Sequence, residues 1–359
     1  MTKDAGFKKV VRRHAEETGQ RYTEALTDLK GLQQRMHHEP VGEQLLAHLR
    51  ERYGIDAVAA TKISVHNTYV FRIDRNDGDP WVARAYPPAR PQAGAEGDAA
   101  ILRFLDQKGY PAERLAVDDA VSDFDGSAVL VTRFIEGDAI AGGLGPEQFA
   151  IMGDLLGRLH ALPFDESASR PGGAQGSDPS REGSPHQDLL AALSFLDSVD
   201  TKVAAADRER FEQLRDQVRA ADAGDGLPEG LLHGNLLHAV NHAIVTEHGP
   251  VAFNWMASGR GPRMVDFGWL LWGTGGWSPR EPAIENIGAA VNAYRRHIEV
   301  TDEELDRLEA VMYIRPLYLV CFAYRRFLAN GVGAFEFGFI EPPEYFTATA
   351  AATRKAFGR

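Results

Sequence analysis

Two short runs of β-branched and aromatic residues constrain this chain most: Thr68-Tyr69-Val70-Phe71-Arg72-Ile73 and Trp81-Val82-Ala83-Arg84-Ala85-Tyr86. Between them stands Asn76-Asp77-Gly78-Asp79, a turn signal, and Pro87-Pro88 ends the second run. Two such runs around a turn predict a β-hairpin. Most of the rest has helical spacing. The chain must therefore join a small, mostly antiparallel sheet to a larger helical part, an α+β architecture.

Residues 5–53 read as helical through Tyr22, Leu26, Leu29, Leu32 and Met36, then Leu45, Leu46 and Leu49, with Gly54 as the stop. After the hairpin come a helix over 96–108 and strands near 113–117 and 127–134. A helix over 146–162 then ends at Pro163. Residues 163–187 are rich in Gly, Ser and Pro and read as a mobile insert, because they bury little surface. Helices follow at 187–198 and 204–221. Residues 231–254 read as loop, strand, turn and strand, and helices at 264–273, 281–298, 302–330 and 343–357 complete the chain. The expected division is an N-terminal helical extension (1–55), a small β-rich lobe (56–137) and a helical lobe (138–359), with the boundary at Glu136-Gly137-Asp138.

The formal net charge is −12, which does not suit a polyanion such as nucleic acid and is compatible with a cationic small molecule. No apolar run approaches the ~20 residues that span a bilayer. Met1-Thr2-Lys3-Asp4-Ala5-Gly6-Phe7-Lys8-Lys9 lacks the apolar centre of a signal peptide, and Cys321 is the only cysteine. The expectation is a cytoplasmic chain without an intrachain disulfide.

Four segments carry the chemical signal: Leu231-Leu232-His233-Gly234-Asn235-Leu236-Leu237-His238-Ala239-Val240-Asn241, Phe253-Asn254-Trp255, Asp154 to Pro163, and Gly259-Arg260-Gly261-Pro262 with Val265-Asp266-Phe267-Gly268-Trp269. Their order and spacing resemble those of the aminoglycoside phosphotransferase and choline kinase family, over roughly residues 60–330. The resemblance implies a bilobal protein-kinase-like fold with extra N-terminal helices. It also implies ATP and magnesium as cofactors and a small-molecule hydroxyl substrate: an amino sugar, a choline-like amine or a natural product. Phosphoryl transfer needs a loop over the phosphates, a cation beside them, and carboxylates that orient the hydroxyl and hold the metal.

By that resemblance Asn235 stands at the catalytic Asp position and His233 braces its loop. Asn254 stands at the metal-binding Asp. Val240 occupies the register of the second metal-binding Asn, with Asn241 next to it, so Asn254 and Asn241 would be weak metal ligands. The nucleotide side maps to His66 and Asn67 in the turn Ser64-Val65-His66-Asn67, to Arg84 in place of the strand Lys, and to Phe134 and Asp98. Asp98 or Glu96 would be the helix partner of Arg84. An amide cannot serve as a base, and a neutral carbonyl holds magnesium poorly. The turn 64–67 also lacks the glycine that lets backbone approach phosphate closely.

Asp266-Phe267-Gly268 spells a magnesium motif of protein kinases. Asn254 directly follows a strand, so the metal step belongs there, and Asp266 is expected to cap its helix and brace the catalytic loop. His238 and His242, Cys321, and the tryptophans Trp269, Trp272 and Trp277 fit loop or core roles. Arg315, Arg325 and Arg326 fit a solvated face.

Three functional readings remain open at this level. One is a pseudokinase or repurposed kinase-fold protein that binds a small molecule. Another is an active ATP-dependent small-molecule O-phosphotransferase with an atypical site. The third is a binding or scaffold protein that uses its N-terminal helices. The oligomeric state is not fixed by the sequence.

Overall fold

The computed structural model describes residues 42–64, 69–86, 90, 92–139, 145–163, 185–203, 208–234, 243–275, 281–317 and 343–359. The expected helices over 5–41, most of the Gly/Ser/Pro insert, and Trp277, Cys321, Arg325 and Arg326 lie outside them.

The first described element is α1 (Gly42–Tyr53), which buries Leu45, Leu46 and Leu49. Helix α1 ends where expected: Gly54 takes φ +65 and donates its N–H to the Arg50 carbonyl at 2.9 Å. Strands β1 (Ala57–Ser64), β2 (Tyr69–Arg75), β3 (Trp81–Ala85), β4 (Val121–Phe124) and β5 (Ser127–Arg133) follow. They form one sheet in the order β1-β2-β3-β5-β4, with every neighbouring pair antiparallel. The predicted hairpin is present as β2 and β3, with Ile73 opposite Trp81.

Helix α2 (Gln92–Gln107) begins four residues before its predicted start. It buries Ala95, Asp98, Ala99, Ile101, Leu102, Phe104 and Leu105. Two expectations in this lobe need correcting. The Ala-rich β1 gave no strand signal, because alanine is a weak strand former, yet it pairs along β2 as an edge strand. Residues 113–117 are not a strand. They run as a connection with a single bridge from Leu115 to Thr132, and the strand lies later, at β4.

That connection ties the lobes together. Ala112 bridges Ala252 in parallel, Ala252 donates its N–H to Pro111 O at 2.9 Å, and Glu113 donates its N–H to Ala252 O at 2.9 Å. The Tyr110 hydroxyl donates to Leu155 O at 3.0 Å.

The larger lobe contains β6 (Asp138–Ala139), α3 (Pro146–His160), α4 (Pro185–Val199), α5 (Arg208–Ala220), β7 (Glu229–Leu232), β8 (Ala243–Thr246), β9 (Gly249–Ala252), β10 (Gly259–Pro262), α6 (Arg263–Trp272), α7 (Ile284–Tyr294), α8 (Asp302–Met312) and α9 (Pro343–Phe357). Strands β7 and β10 form an antiparallel ladder, and β6, β8 and β9 form a small sheet. Helix α6 is buried along Met264–Trp272 and centres the lobe, with α3 and α7 packed together beside it.

Thr301 starts α8 with a capping box to Glu304, whose carboxylate also takes Arg263 at 2.6 and 2.7 Å. The single helix expected over 302–330 is interrupted at Tyr313, which caps α8. Arg315 is not on a solvated face: it is buried, with its guanidinium 5.8 Å from the Trp269 ring centre. Trp269 and Trp272 stack face to face in the core at 4.7 Å. Among the described residues no helix is long and apolar enough to cross a membrane. The architecture is bilobal α+β, as expected.

Candidate functional site

The β7–β10 ladder delivers His233 and Gly234 to the site. His233 is fully buried, and its Nε2 meets the Phe253 carbonyl at 3.1 Å, so that nitrogen carries a proton and donates. Burial lowers its pKa against the opposing pull of the Asp266 carboxylate. Its ring also meets Trp255 at 4.6 Å. The His233 and Gly234 N–H groups donate to Asp266 Oδ2 and Oδ1 at 2.6 and 2.9 Å. Asp266 thus braces the loop as expected. It does not cap α6, since it sits within the first turn and Pro262 holds the cap position.

Gly234 is required by its backbone. It takes φ +78, and a Cβ there would stand 2.6 Å from Ala257 O. Asn235 and Asn241 lie beyond this point, outside the described residues, as do His66, Asn67, His238 and His242.

Asn254 lies two residues past β9 and takes φ +70, a conformation that Asn and Asp tolerate better than other non-glycine residues. Its N–H donates to Glu113 Oε1 at 2.7 Å. Glu113 Oε1 also receives Arg84 Nη1 at 3.4 Å, and Glu113 Oε2 receives the Thr132 hydroxyl at 3.2 Å. All of these side chains except Asn254's are buried. Burial alone disfavours the Arg84 cation, but the Glu113 carboxylate reverses this, and the net effect is a raised pKa. Glu113 therefore joins Arg84 on β3 to the backbone of Asn254.

The expectation that Asp98 or Glu96 holds Arg84 is corrected. The hydrogen-bonded ion pair of Arg84 goes to Glu113. Asp98 receives the Tyr86 hydroxyl at 2.6 Å and Arg90 Nη2 at 2.9 Å on each oxygen, and adds only a longer-range field at Arg84. Glu96 is exposed and takes Gln92 Nε2 at 3.1 Å. Arg90 lies over the Tyr86 ring and reaches Met256 O at 3.5 Å, so this second cation also spans the lobes. Burial, and then Asp98, push the Tyr86 hydroxyl pKa upward. Phe134 sits just past β5, half-buried, with the Arg72 guanidinium 4.5 Å from its ring centre.

Arg84, Asp98, His233 and Asn254 thus flank the junction of the lobes. Sequence reasoning missed Glu113, Thr132 and Arg90. The only signal for Glu113 was an acidic residue inside the otherwise apolar stretch Tyr110-Pro111-Ala112-Glu113.

At the described part of this site the position expected to hold magnesium lacks a carboxylate. Asn254 offers a neutral amide where a carboxylate would hold the metal. Among the described residues no group of three or more His, Cys, Asp or Glu side chains stands ready for a metal ion.

A family model described as "Phosphotransferase enzyme family" matches residues 60–300. No curated protein matches the chain. Solved structures match across both lobes. Amicoumacin kinase with AMP-PNP, Ca2+ and Ami is 15% identical at a TM-score of 0.61, covering 91% of this chain and 95% of that one. A Plasmodium vivax ethanolamine kinase is 15% identical at 0.56, covering 83% of each chain. Spectinomycin phosphotransferase with ADP and spectinomycin is 14% identical at 0.55, covering 88% and 95%. At these identities the likeness is one of fold, the bilobal kinase-like α+β fold. The match over residues 60–300 carries the family, and this chain belongs to the aminoglycoside phosphotransferase and choline kinase-like family of phosphotransferases.

Proposed function

We propose that this chain is a repurposed member of its family: it keeps the kinase-like cleft to bind a small molecule and has lost efficient transfer of phosphate from ATP. The observation that carries this reading is Asn254. It presents an amide at the metal step, and its backbone is held by Glu113. Asn235 removes the second carboxylate by sequence alone. A loose phosphoryl transition state needs electrostatic stabilisation more than covalent help, and both amides withdraw negative charge from the metal's surroundings. The net charge of −12 is compatible with a cationic ligand such as an amine-bearing natural product.

Calorimetry with ATP and magnesium tests this, run on the wild type beside Asn235→Asp/Asn254→Asp. The expected result is no magnesium-dependent binding by the wild type and binding gained in the double variant. Magnesium-dependent binding by the wild type, with steady phosphorylation of a hydroxyl compound, would overturn it.

A second reading, an active O-phosphotransferase, is favoured by family membership and by relatives whose structures hold AMP-PNP or ADP. In that case the substrate would be deprotonated without an Asp. A panel of amino sugars, amino alcohols and macrolide-type hydroxyls would reveal turnover.

A further inference from the structure

We propose that Arg90 is a positioning residue of the cleft: it couples helix α2 to the turn Asn254-Trp255-Met256 and so sets how Asn254 is presented to a ligand. The inference goes beyond the repurposed-kinase reading and holds whichever ligand the cleft takes. Arg90 is buried between β3 and α2. Its Nη2 donates to both oxygens of Asp98 at 2.9 Å and to Gly94 O at 3.3 Å, which fastens it to the start of α2. The Tyr86 ring lies under its guanidinium at 4.8 Å, and the Tyr86 hydroxyl donates to the same Asp98 at 2.6 Å. The same Nη2 then reaches Met256 O in the larger lobe at 3.5 Å, across 166 residues of chain.

The turn is gripped at both ends by the other lobe. The Asn254 N–H donates to Glu113 Oε1 at 2.7 Å, and Met256 O accepts from Arg90. Trp255 and Met256 are buried, whereas Asn254 is half-buried, so Asn254 is the residue of the turn that a ligand can meet. Its φ of +70 is sparsely populated by non-glycine residues and persists where the surroundings determine it. A shift of α2 moves the grip on Met256 O while Glu113 holds the other end, and the dihedrals between must take up the difference.

Burial makes the link stiff. Separating Arg90 from Asp98 would strand a buried charge, so the two move together. The planar guanidinium holds several donors in fixed directions, which a lysine ammonium on its flexible stem does not. Helix α2 is also shaped to admit the arginine. A Cβ at Gly94 would stand 3.1 Å from Arg90 Nε and 3.4 Å from its Cγ, so any other residue there pushes Arg90 off the helix.

The test is hydrogen exchange read by mass spectrometry on the full chain, comparing the wild type with Arg90→Lys and Gly94→Ala. Both variants are expected to speed exchange of the 254–258 amides at least about tenfold, or ~1.4 kcal/mol of local opening, with the β7–β10 ladder unchanged. Gly94→Ala adds helix propensity to α2, so faster exchange at the turn in that variant is not the result of a weakened helix. Exchange at 254–258 within about twofold of the wild type, with only α2 affected, overturns the inference and leaves Arg90 as local support of its own helix. An equal rise throughout both lobes overturns it too, as a plain loss of stability. Should Arg90→Lys fail to fold by circular dichroism, Gly94→Ala decides alone. Neither readout involves nucleotide, so the result stands apart from the calorimetry with ATP.

Discussion

Asp266 lies 33 residues beyond His233, and its Oδ2 accepts the His233 backbone N–H at 2.6 Å while Oδ1 accepts that of Gly234 at 2.9 Å. A single carboxylate thus terminates two buried donors at the turn into the Asn235 loop. Asp266→Ala would orphan both N–H groups at about 1–3 kcal/mol each. A loss of roughly 2–5 kcal/mol is expected in urea denaturation, with Asp266→Asn milder because its carbonyl still accepts one bond.

Gly234→Ala isolates the demands of that same turn. The left-handed backbone costs an L-residue about 1–2 kcal/mol, and the new Cβ would also press on Ala257 O at 2.6 Å. Gly226 has a similar φ of +82 with nothing within 4 Å of an added Cβ. Gly226→Ala should therefore show only the backbone penalty, and Gly234→Ala a loss larger by at least ~1 kcal/mol. Equal losses in thermal and urea unfolding would mean that the turn yields around the methyl group.

Glu113→Ala should be among the more damaging single changes in the small lobe. It leaves Arg84 buried with its ion pair broken, which typically costs about 3–5 kcal/mol. Arg84→Met/Glu113→Leu removes the stranded charge and should cost less than Glu113→Ala, with a residual loss of about 1–3 kcal/mol because the Thr132 hydroxyl and the Asn254 N–H lose their acceptor. A double-mutant cycle on urea midpoints reads the coupling directly.

The buried imidazole of His233 predicts a pH dependence. Burial holds its folded pKa below the ordinary value of 6.5, against the opposing pull of Asp266 and the Phe253 carbonyl. Below 6.5 the unfolded chain binds the proton that the folded chain refuses. The stability contributed by neutral His233 is therefore complete above that value and is lost as pH falls through it toward the folded pKa. The melting temperature should drop between about pH 7 and pH 5.5, and His233→Gln should flatten part of that drop. His48, also lowered by burial, adds a slope of the same sign, so some dependence remains in the variant.

The β2–β3 hairpin, β5 and the main helices were legible because their periods are strong. The β2–β3 hairpin, α3 and α6 all appear within a few residues of expectation. Asn254 was legible from its position just after a strand. Its φ of +70 was not, because a backbone angle leaves no mark on composition. Strand β1 was invisible because Ala57-Val58-Ala59-Ala60-Thr61-Lys62-Ile63-Ser64 has little intrinsic strand preference and is ordered by its pairing with β2. The partner of Arg84 was misassigned for a related reason. A sequence search looks for an acid on the adjacent helix, and Asp98 was there, but Tyr86 and Arg90 claim it. Glu113 reaches Arg84 across 29 residues and Asn254 across 141, through a segment with no regular period.

The strip Pro111–Glu113 laid against Ala252 also governs how the molecule can be dissected. A fragment starting at Gly137 would leave the Ala252 N–H without Pro111 O, its carbonyl without the Glu113 N–H, and Trp255 without the edge contact of Tyr110. A fragment starting a few residues ahead of Tyr110 would keep that seam but drag an unpaired β4–β5 ribbon with it. Neither cut yields a self-contained unit. For expression or crystallisation the two lobes are best handled as one piece, and an attempt to reconstitute them from halves would have to rebuild a backbone ladder as well as a buried surface.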